Sequence, residues 1–338
     1  MRERSYLAVA AVLSLVAGVP VARAQSAPLV FVSNELSQNV TVIDARTNRV
    51  VATIPVGGRA RGIQTGRDRS RVYVAVSGET PHIGVNTGER APSSVDAVVA
   101  IDVPSRMIVR RYRVGTDPEQ FGITPDGTRI YASNEDGGTA TAVDARSGKQ
   151  IGTFVVGIEP EGVSVSPDQR WIYVTSETSN SVSVIDARTN KVVDNLLVDL
   201  RPRAAAFSPD GKRAFITAEV GGSLTVVDTK ARQILETIPI EHGEAKPVGV
   251  VVSPDGKRVY VANGHTNNVS VFDAATYKLL ATIPVGKRPW GIAITPDGRR
   301  VYTANGLSND VSAIDTATNR VVATIKGGQR PWGVAIAR

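Results

Sequence analysis

Apolar and polar positions along this chain do not follow a helical period after the first two dozen residues. They form short hydrophobic runs separated by turn residues, and the runs return at a fixed interval. A hydrophobic step closed by aspartate, as in Val42-Ile43-Asp44, recurs with Asp at 44, 102, 144, 186, 228, 273 and 315, spaced by 58, 42, 42, 42, 45 and 42 residues. A second anchor, Pro-x-Gly or a relative, falls at Pro118, Pro160, Pro202, Pro247, Pro289 and Pro331, with Ala60-Arg61-Gly62 as a degenerate first copy. A third is a Thr/Ser-Pro-Asp-Gly turn, as at Pro125-Asp126-Gly127 and Pro296-Asp297-Gly298. There Pro sets φ, Asp closes the turn through its side chain and Gly accepts positive φ.

One unit shows what the pattern builds. Pro289-Trp290-Gly291 leads into Ile292-Ala293-Ile294, then come Val301–Asn305, Val311–Asp315 and Val321–Ile325, with turn chemistry between. Four short strands repeated every forty-odd residues predict the blade of a β-propeller. A blade packed between neighbours is covered on both faces, which accounts for strands such as Val259-Tyr260-Val261-Ala262 with no polar side. The segment from Leu29 to Val56 supplies strands two, three and four of a unit, and Trp332 to Ala337 supplies a lone first strand. Joined, they make one blade. The expectation is an all-β, seven-bladed propeller of four-stranded blades, its ring closed by pairing the C-terminal strand with the N-terminal three.

The opening residues read differently. Arg2 and Arg4 precede a small-apolar run from Tyr6 to Val19, Pro20 breaks it, and Ala22-Arg23-Ala24 suits signal peptidase. Residues 1–24 are expected to be a signal peptide cleaved before Gln25, leaving residues 25–338 as one periplasmic or secreted propeller domain. Cleavage lowers the formal charge from +7 to +5, with no basic block, which argues against nucleic acid. The absence of cysteine rules out disulfides, thiolate catalysis and Cys-based metal sites. The 58-residue spacing implies an insertion near residues 77–94, and a smaller one lies near Glu241–Ala245.

The signature Val259-Tyr260-Val261-Ala262-Asn263, with Phe31-Val32-Ser33-Asn34 and Ile172-Tyr173-Val174-Thr175 as variants, resembles the YVTN-type β-propeller family over nearly all of residues 25–338. The loops carry a narrower resemblance. Asp117–Phe121, Glu159–Gly162, Ser176–Asn180, Arg201–Arg203, Glu219–Gly222 and Asn305–Asp310 look like the periplasmic propellers associated with PQQ-dependent alcohol catabolism. That resemblance implies a location beside quinoprotein dehydrogenases and c-type cytochromes, without implying that the propeller binds the cofactor. The insertion departs from the pattern, so nothing is carried over around blade two.

In a propeller, the loop entering the innermost strand and the loop between strands two and three share one face around the central channel. The rim is therefore expected to gather Arg61, Glu119, Gln120, Glu161, Glu177, Arg203, Trp290, Arg330 and Trp332, with Asn34-Glu35, Asn134-Glu135-Asp136 and Glu219 in the second loops. It is expected to be acidic in blades three to five, with Arg59, Arg61, Lys287, Arg288 and Arg330 making the opposite side basic. Such a funnel suits a ligand or a partner loop. Glu161 and Glu177 could face the channel as paired carboxylates, with Arg203 polarising a carbonyl. No nucleophile-elbow motif or phosphate loop appears, and His82, His242 and His265 lack metal-ligand spacing. The repeated aspartates, Asp44 among them, occupy one position in every blade and read as turn residues.

These features favour a non-enzymatic, monomeric binding or scaffold propeller, without cofactor or metal, accessory to a periplasmic quinoprotein alcohol oxidation system. The alternatives are a lactonase-like hydrolase working in the funnel and a cell-surface adhesive propeller.

Overall fold

A computed structural model of the protein describes Met1 and residues 28–78 and 93–337. The expected signal peptide, His82 and most of the insertion lie outside the described residues. Among the described residues, twenty-eight strands, β1 to β28 in chain order, form seven antiparallel four-stranded sheets. Blade 1 joins β28 (Pro331–Ala337) to β1 (Leu29–Asn34), β2 (Asn39–Asp44) and β3 (Arg49–Pro55), in the order β28-β1-β2-β3. Blades 2 to 7 take residues 59–113, 118–155, 160–197, 202–239, 247–284 and 289–326. The ring closes as its sequence predicts, with Leu29 opposite Ala337 and Ser33 opposite Gly333. The small extension near Glu241 is a single 3-10 turn, Glu241–Gly243. No helix among the described residues is long and apolar enough to cross a membrane.

The core is not one cluster but seven, one in each seam between neighbouring blades. Second strands are buried on both faces, so Val259, Tyr260, Val261 and Ala262 are all essentially inaccessible. The recurring aspartate works as its position suggests. Asp44 accepts the backbone N–H groups of Arg46 and Thr47, and Asp273 those of Ala275 and Thr276. Backbone hydrogen bonds hold both carboxyls below the usual range, the bond from Thr47 leading at Asp44 and that from Thr276 at Asp273.

Two local devices aim side chains into the channel. Register breaks just after the Pro-x-Gly motif in the innermost strands, between Pro118 and Phe121, Pro160 and Val163, and Pro289 and Ile292. Such a bulge frees a residue from the ladder and redirects it. In several blades a second-strand hydroxyl staples the bulge to the next blade. Ser133 Oγ accepts the Gln120 N–H and donates to the Glu161 carbonyl, and Thr175 Oγ1 accepts the Gly162 N–H and donates to the Arg203 carbonyl.

Candidate functional site

The bulges and the loops above them bring the charged side chains of blades 1 to 5 and 7 into one buried network at a single end of the channel. Arg61 contacts Glu119, Glu35 at 3.1 Å and Glu135 at 3.6 Å. Arg59 lies 3.6 Å from each of Glu35, Asp117 and Glu119, and Arg330 lies 3.0 Å from Glu35. Arg203 sits between Glu161, at 3.0 Å, and Glu177, with Glu219 3.7 Å from its Nε. Arg201 adds a 2.6 Å contact to Glu177, and Arg288 one of 2.6 Å to Glu219.

This arrangement corrects the expected division into an acidic and a basic side. Arginines flank the carboxylates of blades 3 and 4 on both sides, Arg59 and Arg61 from blade 2 and Arg201 and Arg203 from blade 5, because charges this deeply buried must be compensated by neighbours. Blade 6 offers only Val248 and Gly264 at the equivalent positions. Arg288 of blade 7 therefore passes over it, close against Gly264, to reach Glu219 of blade 5. Glu161 and Glu177 are not a bare carboxylate pair, since Arg203 lies between them.

The balance of charge in the network bears on the titration of Glu135. One half, Glu161, Glu177 and Glu219 with Arg201, Arg203 and Arg288, is balanced. The other sets Glu35, Asp117, Glu119 and Glu135 against Arg59, Arg61 and Arg330, so one carboxylate is in excess. Glu135 takes the consequence. Burial, and after it the charge of Glu161, push its carboxyl up to about 7, against the pull of Arg61. Glu219 moves the other way: burial raises it, but Arg203 and Arg288 outweigh that and hold it low.

The Glu135 shift makes a stability prediction. Its ordinary value is 4.5, so between about pH 4.5 and 7 the unfolded chain has lost a proton that the folded chain keeps. Stability therefore falls as pH rises through that window and stays reduced above it. Glu135→Gln is expected to stabilise the protein at pH 8 by on the order of 1–3 kcal/mol and to change little at pH 4. Urea unfolding of both proteins at the two pH values tests this; equal midpoints at pH 8 would refute it.

Asp117, Glu119 and Glu135 each bring an oxygen within 4.8 Å of the others, a spacing that could hold a cation. Arg59 and Arg61 already lie within ion-pair distance of these groups. Inside the channel lies a cavity of about 200 Å³. Its polar wall is formed by Gln64, Gln120, Glu161 and Arg203, and its apolar wall by Val248, Trp290, Ile292 and Trp332, with Val250 and Val334 beyond them. The two indoles stack at 6.3 Å, and Arg288 and Arg330 lie 5.0 and 5.4 Å from the Trp290 ring. All nine sequence-predicted rim residues thus sit at this end of the channel: Gln120, Glu161, Arg203, Trp290 and Trp332 line the cavity, while Arg61, Glu119, Glu177 and Arg330 belong to the charged network. His265 does not join them; it is exposed, its Nδ1 3.0 Å from the Glu244 carbonyl.

Asp117 went unassigned by sequence reasoning, which placed Glu35 and Glu135 in the second loops of the rim without giving them partners. Their signal was the recurring place after the second strand, shared by Glu35, Glu135, Glu177 and Glu219.

Comparison with known proteins agrees with the fold. Residues 200–329 match the family model described as Lactonase, 7-bladed beta-propeller, and residues 90–255 match that of the YNCE-like beta-propeller. Each match spans less than half of the chain. No curated protein matches it. Among solved structures, a functionally unknown protein of Desulfotomaculum acetoxidans superposes with a TM-score of 0.75 at 18% identity, covering 92% of this chain and 99% of that one. A proposed 6-phosphogluconolactonase of Bacteroides fragilis gives 0.73 at 17% identity, with 93% and 99% covered. Hydrazine synthase of Kuenenia stuttgartiensis gives 0.69 at 21% identity, with 82% and 89% covered. At these identities the likeness is one of fold.

Proposed function

We propose that this propeller is a hydrolase of lactones, working in the central channel. The observation that carries the reading is Glu135. It stands outside the cavity lining, and its burial and then the charge of Glu161, which does line the cavity, push its carboxyl up to about 7. A group poised near the working pH is suited to take a proton from water as it adds to a carbonyl carbon and to return it to the ring oxygen as the C–O bond breaks. Water and lactone then yield one hydroxy acid. The matched Lactonase model and the 6-phosphogluconolactonase-like neighbour support this reading over a scaffold role.

The test is hydrolysis of a lactone panel followed over pH. The rate is expected to rise through a limb near pH 7 as Glu135 loses its proton. Glu135→Gln should lower kcat/KM by roughly 10²–10⁴-fold and remove that limb. Wild-type protein inert to every lactone, or a variant with the full rate, would end the proposal.

A second reading keeps the accessory role beside a periplasmic quinoprotein dehydrogenase or cytochrome c, inferred from the loops. It is favoured by exposed aliphatic side chains on the loops around the channel mouth: Ile158, Leu200, Val220 and Leu307 are each at least half exposed. Export through the expected signal peptide belongs to this reading.

A further inference from the structure

The cavity's two walls differ in kind, and that difference selects a ligand. Blades 6, 7 and 1 contribute aliphatic and indole surface, with Val248, Ile292, Trp290 and Trp332 facing the space. Blades 2 to 5 contribute four polar side chains, of which three are already engaged. Arg203 is held by Glu161 and Glu177, Glu161 is held in turn by Arg203, and Gln64 donates to the Phe121 carbonyl. Gln120 differs. Its backbone N–H is bonded to Ser133, while its carboxamide, with Oε1 packed over Gly62, has no hydrogen-bond partner among the described residues, and the residue lines the cavity.

We infer that the channel takes a small apolar-ringed lactone, its hydrocarbon ring against the Trp290 and Trp332 wall and its carbonyl accepting a hydrogen bond from the Gln120 carboxamide. This rests on the hydrolase reading for the word lactone, while the ligand shape and the role of Gln120 stand on the cavity. A sugar lactone carries hydroxyls around its ring, and those turned to the aliphatic wall would lose water without gaining partners. A phosphorylated lactone would need an uncommitted cation, and the one guanidinium in the cavity wall is bound by two carboxylates. The volume of about 200 Å³ lies below the roughly 300–1,000 Å³ of drug-sized sites, so the ligand has one or two rings. Gln120 is a specificity-determining residue here rather than an acid or base.

Binding can be read apart from hydrolysis. Two of the three tryptophans line the cavity, so indole fluorescence reports occupancy. The probes are 2-tetralone, a two-ring ketone with no ester to hydrolyse; tetralin, the same skeleton without the carbonyl; and glucono-δ-lactone. 2-Tetralone is expected to bind at least tenfold more tightly than glucono-δ-lactone. Gln120→Met, of similar volume, should weaken 2-tetralone about tenfold and leave tetralin unchanged. Tighter binding of glucono-δ-lactone, or no binding of 2-tetralone to wild-type protein, overturns the inference without recourse to any variant. Unchanged 2-tetralone binding in a folded Gln120→Met protein overturns the role of Gln120. If 2-tetralone binds as expected while the related ester dihydrocoumarin survives intact, the hydrolase reading fails and the ligand class stands. If glucono-δ-lactone alone is hydrolysed, the reverse holds.

Discussion

Deleting Pro331–Arg338 is expected to destroy the cooperative fold, although it removes only eight residues. β28 is the innermost strand of blade 1 and pairs with β1 along its whole length. Its side chains serve two seams at once. Val334 and Ile336 pack toward Tyr302 and Ala304 of blade 7, while Ala335 and Ala337 pack toward Val72 and Val74 of blade 2. Burial of Trp332, Val334 and Ile336 contributes roughly 1.5–3 kcal/mol apiece, and each ladder bond to β1 roughly 1 kcal/mol. That total is comparable with the whole ~5–15 kcal/mol by which a domain is stable. The deletion also leaves β1 as an open, hydrophobic edge, which invites aggregation. Urea unfolding and light scattering should show a broad, non-cooperative transition and oligomers. A permutant carrying β28 ahead of β1 through a short turn, and ending at Lys326, separates the cause. Leu29 lies opposite Ala337, so the turn is feasible, and this protein should unfold like the wild type. A truncated chain that keeps a sharp transition within about 2 kcal/mol of wild type would show that the seam does not hold the ring.

That closure was legible in the sequence because its signals are local and repeated. Leu29–Val56 lacks a first strand, Trp332–Ala337 is a first strand with nothing after it, and no other arrangement uses both. The rim residues were legible for the same reason: Glu119, Glu161, Arg203, Trp290 and Trp332 all follow the entering proline or stand one place beyond it. The pairing of their charges was not. Arg61 meets Glu119 across 58 positions and Arg288 meets Glu219 across 69, distances set by the ring and by the small side chains of blade 6. Taken along the chain, the same residues suggest an acidic arc facing a basic one. The raised Glu135 carboxyl was hidden more deeply. It follows from burial first and then from the charge of Glu161 in the next blade, which no single loop reveals. The stapling hydroxyls of Ser133 and Thr175 were overlooked because a serine or threonine in a strand is unremarkable until its strand is known to face the channel.

Replacing Arg203 by methionine should be the most damaging single change in the network. Its side chain is 7% exposed, and it lies against Glu161, Glu177 and Glu219, which are themselves 6%, 3% and 7% exposed. Arg201 and Arg288 still reach Glu177 and Glu219, but Glu161 has no other arginine within ion-pair distance among the described residues. Removing one partner of a buried ion pair costs about 3–5 kcal/mol, because a charge is left without water or counterion. The cause has a pH signature. Without Arg203 the glutamates resist ionising in the folded state, so their carboxyls rise above the unfolded value of about 4.3. The penalty is then absent below that pH, grows as pH rises through the shifted values, and is complete above them. Arg203→Met should therefore unfold at much lower urea than wild type at pH 8 and approach it at pH 4. Adding Glu161→Gln to the same chain should restore part of the loss at pH 8. A loss that is the same at pH 4 and pH 8, and that Glu161→Gln does not relieve, would mean that Arg203 acts through its packing and that the paired charges are not what holds this end of the channel together.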